Sequence, residues 1–223
     1  SELKPFYKVP NFIGEVSQKA VDQLLHFQYI SGNNSIFKNV HKLPAGNYLK
    51  ITKQQLATGE INTPQPYWSL FKTVQSSTQP DTQFKNKTEM LNTIEEAISR
   101  AVSDRLISDV PLGAFLSGGT DSSLIVAMMQ KNSPKPVQTF SIGFEHPDFD
   151  ESQYAIAVAE HLGTDHHHQL MTAEMAIDSM KHIGETYDEP LSDFSQIPTL
   201  LVSKMAKECV TVCLSGDGGD ELF

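Results

Sequence analysis

A polar, glycine-rich octet, Leu-Ser-Gly-Gly-Thr-Asp-Ser-Ser at residues 116–123, constrains the fold more than any other stretch. The apolar run 110–115 before it is typical of a buried parallel strand, and residues 124–129 after it predict a core-facing helix. The octet is therefore predicted to be a strand-to-helix turn, which is a place where phosphates bind.

The residue types of the octet favour a nucleotide held with a cation. Gly118 and Gly119 let the backbone approach an anion without a Cβ in the way, and the serines add hydroxyl donors at a helix start, at positions 117, 122 and 123. Asp121 fits beside phosphate only if a divalent cation such as magnesium bridges the two. The turn is no Walker A loop, because it lacks the Gly-Lys-Ser/Thr ending. It predicts a Mg-nucleotide site of another class.

Composition narrows the choice of partners. The chain carries 27 acidic and 17 basic residues, a formal net charge of −10, and no cluster of five or more basic residues. This argues against a nucleic-acid or anionic-membrane partner and favours a small-molecule substrate. No secretory or transit pattern and no apolar run of ~18 residues is present, so a cytoplasmic location is expected. Cys209 and Cys213 are predicted to share a strand as buried, unpaired thiols in a reducing compartment.

The first third of the chain reads as an α+β fragment. Helical spacing of apolar residues predicts a helix over 18–27, and strands are expected over 36–40 and 47–52. The polar stretch 69–84 predicts a linker or surface loop, after which Thr88 is expected to cap a long amphipathic helix.

Strands and helices then alternate. The predicted strands are 137–144, 167–171 and 210–214, and the predicted helices are 151–162 with Asp150 as its cap, 174–187 and 197–208. Such alternation predicts an α/β fold with a doubly wound parallel sheet, whose ligands lie at the carboxyl ends of the strands.

A second glycine loop, Ser-Gly-Asp-Gly-Gly-Asp-Glu at residues 215–221, follows the last predicted strand. If the two loops lie on adjacent strands, they could face each other across a switch point, with Asp121 and Asp220 holding magnesium between them. A calcium loop is a rival interpretation, although the Asp-x-Asp-x-Asp-Gly spacing is absent, and a solvated acidic turn is another.

Ser117-Gly118-Gly119-Thr120-Asp121-Ser122 resembles the pyrophosphate motif of the PP-loop ATP pyrophosphatases, and the pair of loops resembles the glutamine-dependent asparagine synthetases. The resemblance implies that the pyrophosphate is gripped by Ser117, Gly118, Gly119, Asp121 and Ser122. It implies adenosine contacts at Leu116, Ile142, Ser215 and Gly216, and magnesium or pyrophosphate binding at Asp220. Asp217 stands where some members carry a Glu that handles substrate and intermediate, so the shorter side chain leaves the acceptor open.

The first third is similar to the closing third of the glutaminase domain of that family, through Ser1-Glu2-Leu3-Lys4, the phrase at 36–46 and Tyr67-Trp68. The resemblance implies an incomplete N-terminal-nucleophile glutaminase domain over 1–72 and a PP-loop synthetase domain over 73–223, truncated at its C-terminus. The nucleophile of that family is an N-terminal Cys, whereas this chain starts at Ser1, so it is not expected to hydrolyse glutamine by itself. The family's catalytic lysine lies downstream, so the piece alone is expected to have little synthetase activity.

The implied reaction uses Mg-ATP to convert a carboxylate, with aspartate as the leading acceptor, to an acyl adenylate that glutamine-derived ammonia attacks. Alternatives are the same adenylation with another acceptor, as in β-lactam-forming synthetases, and a nucleotide-binding regulatory module without catalysis. A tRNA-modifying PP-loop enzyme is disfavoured by the acidic balance. Oligomeric state stays open, with a homodimer of the full-length protein among the options.

Two further patterns leave alternatives open. The stretch from Asp188-Glu189-Pro190 to Ser195-Gln196-Ile197-Pro198-Thr199 also resembles the asparagine synthetase family, which implies that Asp193 and Ser195 could line the carboxylate substrate. Alternatively, Ser195 could cap a helix with Pro198 in its first turn. His166, His167 and His168 in one strand point to alternating faces, so at most two could share a metal ion, and plain strand residues are the other interpretation.

Overall fold

The computed structural model describes residues 2–77, 84–146 and 150–220. The chain divides into two compact units, one drawn from residues 1–83 and 184–193 and the other from residues 84–183 and 194–223. The predicted linker residues 78–83, the N-terminal Ser1 and the last loop residue, Glu221, lie outside the described residues.

The first unit is a small α+β arrangement. A short 3-10 helix precedes α1, and a two-stranded antiparallel sheet joins β1 to β2; the elements are Lys4–Lys8 (3-10), α1 Gln18–Phe27, β1 Asn47–Tyr48, α2 Lys53–Thr58, β2 Gln65–Pro66 and α3 Leu70–Ser77. Helix α1 has the predicted bounds. Ser17 caps it by accepting a hydrogen bond from the Ala20 N–H, and Gln28, at φ 67°, ends it in the left-handed conformation.

Three predictions in this unit are wrong. Residues 36–40 form no strand, and Phe37 makes only an isolated bridge with Val16. The strand expected over 47–52 stops at Tyr48, because Thr52 and Gln55 form a capping box that starts α2. Residues 70–77 of the expected linker are helical, although their side chains through 76 are exposed.

The second unit contains the parallel sheet and its helices. In chain order the elements are α4 Lys87–Arg105, β3 Leu112–Phe115, α5 Thr120–Lys131, β4 Gln138–Phe144, α6 Ser152–Leu162, β5 Asp165–Met171, α7 Ala173–Met180, α9 Gln196–Ala206 and β6 Val212–Leu214. Between α7 and α9 the chain forms a short helix, α8 Ile183–Thr186, at the point where it passes from this unit to the first. All pairings in the sheet are parallel, in the order β5-β4-β3-β6.

Helices cover both faces of this sheet. Ala114 and Leu116, completely buried, pack on one face with residues of α4, α5 and α6. On the opposite face Phe140, also fully buried, packs against Ala206 of α9 and against Val210. Because parallel strands with helices on both faces define a doubly wound sheet, the predicted α/β class is confirmed.

Element boundaries differ from the predictions where local hydrogen bonds decide them. Asn86, and not Thr88, caps α4, since its side chain accepts from the Glu89 N–H at 2.9 Å. The helix expected over 174–187 breaks after Met180 into α7 and α8. Strand β5 begins at Asp165, which pairs with Gln138.

The cysteine prediction is half right. Both thiols are free, and Cys213 is half-buried in β6. Cys209 is exposed and precedes the strand, because its N–H bonds the Ala206 carbonyl at 3.0 Å in the turn that ends α9. Its prediction as a buried strand residue is therefore wrong.

Within the described ranges, none of the helices combines the length and the apolar character needed to span a bilayer.

Candidate active site

The two glycine loops leave neighbouring strands. From β3 the chain goes to β4 and β5 on one side, and it returns through α9 to β6 on the other side of β3. The carboxyl ends of β3 and β6 therefore flank a topological switch point, where open α/β sheets bind ligands. The predicted adjacency of the two loops is confirmed.

The first loop is held by its own hydrogen bonds. The hydroxyl oxygens of Ser117 and Ser122 lie 2.8 Å apart, and Ser122 Oγ also lies 3.2 Å from the Gly119 carbonyl oxygen. Gly119 is the N-cap of α5 and has no side chain to occupy the first N–H groups of the helix. These N–H groups are therefore available to an anion.

Gly118 serves packing. Its φ is +83°, and a Cβ placed there would lie 2.5 Å from the Ala155 backbone nitrogen and 2.6 Å from Tyr154 Cβ. Only glycine fits so close to α6 in that conformation. Gly118 is not among the residues that line the cleft described below, and neither is Ser123, whose buried Oγ has no hydrogen-bond partner within the described residues.

The second loop lies directly against the first. A Cβ on Gly216 would stand 2.6 Å from the Ser122 backbone nitrogen, and one on Gly219 would stand 2.5 Å from Asp121 Cγ. Ser215 Oγ donates to Asp217 Oδ2 at 2.9 Å. The half-buried Asp121 carboxyl group thus rests on the backbone of the second loop, so the two loops form one continuous surface.

A cleft of about 580 Å³ opens where the loops meet. Ten of the predicted site residues line it: Leu116, Ser117, Gly119, Asp121, Ser122, Ile142, Ser215, Gly216, Asp217 and Asp220. Its volume falls in the usual range for small-molecule sites, and its lining combines apolar strand residues with convergent hydroxyl and carboxylate groups.

The cleft has lining residues that the sequence did not single out as site residues. Phe144 and Glu151 flank the far end of β4, and the first two turns of α9 and the strand β6 add Pro198, Thr199, Val202 and Cys213. Burial raises the pKa of the Cys213 thiol to about 11, so this thiol is protonated at neutral pH and is a poor nucleophile. The sequence did point to the start of α9, at residues 195–199, but it did not decide whether these residues cap the helix or contact the substrate.

The structure answers part of this question. Pro198 lies in the first turn of α9, as predicted. Ser195 occupies the N-cap position, but its side chain makes no capping hydrogen bond, so the capping interpretation is wrong. Asp193 belongs to the first unit, and neither Asp193 nor Ser195 is among the cleft-lining residues.

The three histidines of β5 alternate between faces, as predicted. His166 and His168 lie on one face, where His166 Nδ1 contacts Thr139 Oγ1 at 2.9 Å and both rings contact Ser141 Oγ at 3.1 Å. His167 stacks on Phe140 on the other face. Burial, together with the neighbouring His168 and His167, lowers the pKa of His166 below its ordinary value.

Among the described residues, no group of three or more His, Cys, Asp or Glu side chains could hold a metal ion. Two carboxylates in one cleft nevertheless suit Mg²⁺ at a nucleotide site, because phosphate oxygens and water supply its other ligands. Asp121 and Asp220, which line the same cleft, meet that requirement, and their role stays a prediction.

Comparison with known proteins gives two family matches. A family model described as asparagine synthase matches residues 93–223, and one described as glutamine amidotransferase domain matches residues 1–68. The relatives that match along the whole chain include a putative glutamine-hydrolysing asparagine synthetase of Methanocaldococcus jannaschii at 37% identity, and glutamine-hydrolysing asparagine synthetase 1 of Bacillus subtilis at 34%.

The chain spans 41% and 33% of the lengths of these two relatives. A solved structure, the NH3-dependent NAD synthetase of Campylobacter jejuni, matches with a TM-score of 0.43 and 13% identity, over 59% of this chain and 58% of that one.

Proposed function

Because this chain belongs to the asparagine synthase family, we propose that it forms the ATP-binding cleft of a glutamine-dependent synthetase. The proposed reaction adenylates a substrate carboxylate, aspartate first among the candidates, and converts it to an amide with ammonia derived from glutamine. The relatives of the chain are named as glutamine-hydrolysing asparagine synthetases, which supports both the amide product and the nitrogen source.

One observation carries the proposal: the Asp121 carboxyl group rests on Gly219 of the second loop while both loops line the same cleft. A pyrophosphate held at the α5 N-terminus would therefore meet donors and carboxylates from both strands at once. Such preorganised groups stabilise charge that builds up on a leaving group.

Each predicted residue takes a role in this proposal. Ser117, Gly119 and Ser122 donate to the pyrophosphate, and Gly118 shapes the loop by its close packing on α6. Leu116, Ile142, Ser215 and Gly216 contact the adenosine. Asp121 and Asp220 hold Mg²⁺, which supplies positive charge to the phosphate oxygens when bound.

The chemistry needs positioning more than covalent help from the protein. A carboxylate oxygen of the substrate attacks the α-phosphorus of ATP, the bond to the β-phosphate oxygen breaks, and pyrophosphate leaves with the electron pair. Ammonia then attacks the carbonyl carbon, AMP leaves, and the amide remains after loss of a proton. The loops hold the triphosphate in line for the first displacement, and Asp217, oriented by Ser215, faces the same cleft and is assigned to the acyl substrate.

We assign residues 1–72 to the closing part of a glutaminase domain and residues 73–223 to the synthetase domain, and we propose that both work within a polypeptide as long as the relatives. The match of the glutamine amidotransferase model to residues 1–68 supports the first assignment. Ammonia would come from that domain, and AMP formation would need the remaining synthetase residues.

Pyrophosphate exchange tests the proposal in the complete polypeptide that carries this chain. The enzyme is incubated with Mg-ATP, labelled pyrophosphate and single carboxylic acids: aspartate, glutamate, and β-amino acids of the kind that close to β-lactams. We expect pyrophosphate exchange that depends on aspartate, and AMP formation once glutamine is added. Exchange with another acid alone would show that this acid, and not aspartate, is the acceptor. Tight binding of intact ATP without exchange would show a nucleotide-binding regulatory module and contradict the enzymatic function.

A further inference from the structure

A short segment within the part that matches the asparagine synthase model packs with the first unit. Residues 184–193 lie far along the chain from residues 1–68, yet they belong to the same compact unit. The segment contains the adjacent carboxylates Asp188 and Glu189, whose side chains are each only 17% exposed. Two acidic residues so far from solvent need partners.

Asp188 has an ammonium and a backbone partner. Lys4 Nζ lies 2.6 Å from Asp188 Oδ1, and the Leu3 N–H donates to Oδ2. The same ammonium lies 3.3 Å from the Thr186 carbonyl oxygen. The hydrogen bond from Lys4, followed by that from Leu3, holds the pKa of Asp188 below its usual range.

Glu189 repeats this arrangement with different partners. Its Oε1 accepts from the Ile36 N–H at 2.9 Å, and its Oε2 lies 2.5 Å from Lys42 Nζ, which also donates to the Ile30 carbonyl at 3.2 Å. A backbone bond from the Ser192 N–H to the Gln28 carbonyl, 2.8 Å long, completes the attachment.

These contacts differ in kind from the ordinary surface pairs of the protein. In the Glu95–Lys131 pair both side chains are at least half exposed, and no backbone N–H of the described residues donates to that carboxylate. Asp188 and Glu189 each combine an ammonium with a backbone N–H on a largely desolvated carboxylate, the combination that makes charge-assisted hydrogen bonds strong and geometrically specific. We call this set, Asp188 and Glu189 with Lys4, Lys42 and the Leu3 and Ile36 N–H groups, the carboxylate clamp.

The clamp is continuous in sequence with a wall of the cleft. Helix α9 begins at Gln196, and Pro198 and Thr199 in its first turn line the cleft. Only six residues separate Glu189 from the start of α9, so an anchored stretch of chain leads from the glutaminase-like part into the adenylation site.

We propose that Asp188 and Glu189 are positioning residues that couple glutamine-dependent ammonia supply to amide formation, by anchoring the chain that leads into α9 on the glutaminase-like part. This inference rests on the proposed function. It assigns the clamp no contact with substrate. Its loss therefore disconnects the two half-reactions and leaves each half-reaction working.

The experiment compares the Asp188→Asn/Glu189→Gln double variant with wild type in the complete polypeptide, with Glu15→Gln as the matched control. Glu15 also pairs with a lysine of the first unit, Lys38, but its side chain is 66% exposed. AMP formation from aspartate is measured with ammonium and with glutamine, and glutamate release is measured alongside.

The double variant is expected to keep ammonium-dependent AMP formation and glutaminase activity within about twofold, while glutamine-dependent AMP formation falls at least fivefold. Glutamate released per AMP then rises by the same factor, and the control stays at the wild-type ratio. An unchanged ratio in the double variant, or an equal loss with both nitrogen sources, would overturn the coupling role. Wild type without any aspartate-dependent AMP formation would instead overturn the proposed function.

Hydrogen–deuterium exchange gives a second readout that does not need activity, and it is made on the double variant and on each single variant. Faster exchange in residues 184–193 and also in the first turns of α9 is expected, with the rest of the second unit unchanged. Faster exchange confined to residues 184–193 would show a local structural role and overturn the inference.

Discussion

The two glycine loops contain the same kinds of residue but owe their shape to different interactions. The loop over 116–123 is fixed by hydrogen bonds among its own serines and glycines and by the helix that follows it. The loop over 215–220 has fewer internal bonds, namely Ser215 to Asp217 and Gly219 to Gly216, and it lies against Asp121 and Ser122 of the first.

This difference teaches which changes each loop should tolerate. When one hydroxyl group is removed from a self-bonded loop, only the hydrogen bonds of that side chain are lost and the others remain. A loop whose position depends on backbone contact with its neighbour has no room for a single added carbon. Gly216 and Gly219, the glycines of the second loop that lie against the first, are therefore expected to be more sensitive than the serines of the first.

Gly216→Ala is expected to have the largest effect. The new Cβ would lie 2.6 Å from the Ser122 nitrogen and 2.9 Å from the Asp121 carbonyl carbon, and neither backbone atom can rotate away. The second loop must shift, which should lower the rate of pyrophosphate release about a hundredfold and reduce the free energy of unfolding by about 1–3 kcal/mol. Pyrophosphate exchange and thermal unfolding measure the two effects.

The matched control for that change is Gly184→Ala. A Cβ at Gly184, within helix α8, would meet no atom within 4 Å, so activity should stay at the wild-type value and the unfolding temperature should not fall. Near-normal pyrophosphate exchange by the Gly216→Ala variant would contradict the proposed difference between the loops, because it would show that the second loop is not held by contact with the first.

Asp121→Asn is expected to lower pyrophosphate exchange ten- to a hundredfold while leaving the fold intact. The substitution keeps the shape of the side chain against Gly219 and removes only its charge, on which Mg²⁺ binding depends. The magnesium concentration for half-maximal activity should rise. Asp104→Asn, at an exposed position of α4, is the control that removes one carboxylate elsewhere. An unchanged magnesium requirement would argue against Asp121 as a ligand.

Ser117→Ala tests the self-bonded loop by itself. It removes the 2.8 Å contact with Ser122 Oγ and the 3.3 Å bond from the Gly119 N–H, but leaves Ser122 bonded to the Gly119 carbonyl. Loss of these two hydrogen bonds, at about 1 kcal/mol for each, predicts a fall in exchange of roughly fivefold to thirtyfold. Ser133→Ala is the control, because it also removes two hydrogen bonds of one hydroxyl group, those with the Lys135 carbonyl and the Lys135 N–H, in a turn away from the cleft. A hundredfold loss would show that the first loop is as sensitive as the second.

The site was more predictable from the sequence than its surroundings. Each of the two loops follows an apolar strand, so the sequence predicted that Ser117, Asp121, Ser215 and Gly216 could meet if those strands were neighbours. The pairing of β3 with β6 fulfils that condition. The α9 wall did not follow, because helix periodicity does not tell which end of a helix reaches a cleft. Nor did the short strands of the first unit, where a capping box at Thr52 outweighs strand propensity.

Asp188 and Glu189 illustrate a further limit of sequence analysis. The sequence does not indicate what these two carboxylates contact. Their partners, Leu3, Lys4, Ile36 and Lys42, lie more than 140 residues away. No local pattern connects such distant positions. Their association depends on tertiary packing of the first unit, which periodicity cannot supply.

A fall in pH should have the smallest effect of these changes on stability. It acts through His166 in the sheet and should therefore not distinguish the two loops. His166 is half-buried between Thr139 and Ser141, and burial holds its pKa below the ordinary value of about 6.5. As the pH falls below about 6.5, the unfolded chain binds a proton at this position before the folded protein does, so stability decreases until the folded pKa is passed. Urea unfolding between pH 8 and 5 measures this loss, and His166→Gln should flatten that part of the profile. If the variant instead keeps the wild-type slope, another group controls it. The hydrogen bonds of His166 with Thr139 and Ser141 join β5 to β4 and involve no residue of either loop. The Gly216→Ala and Ser117→Ala variants should therefore show the same pH dependence of stability as wild type. A steeper dependence in only one of them would show that the two loops depend differently on the sheet.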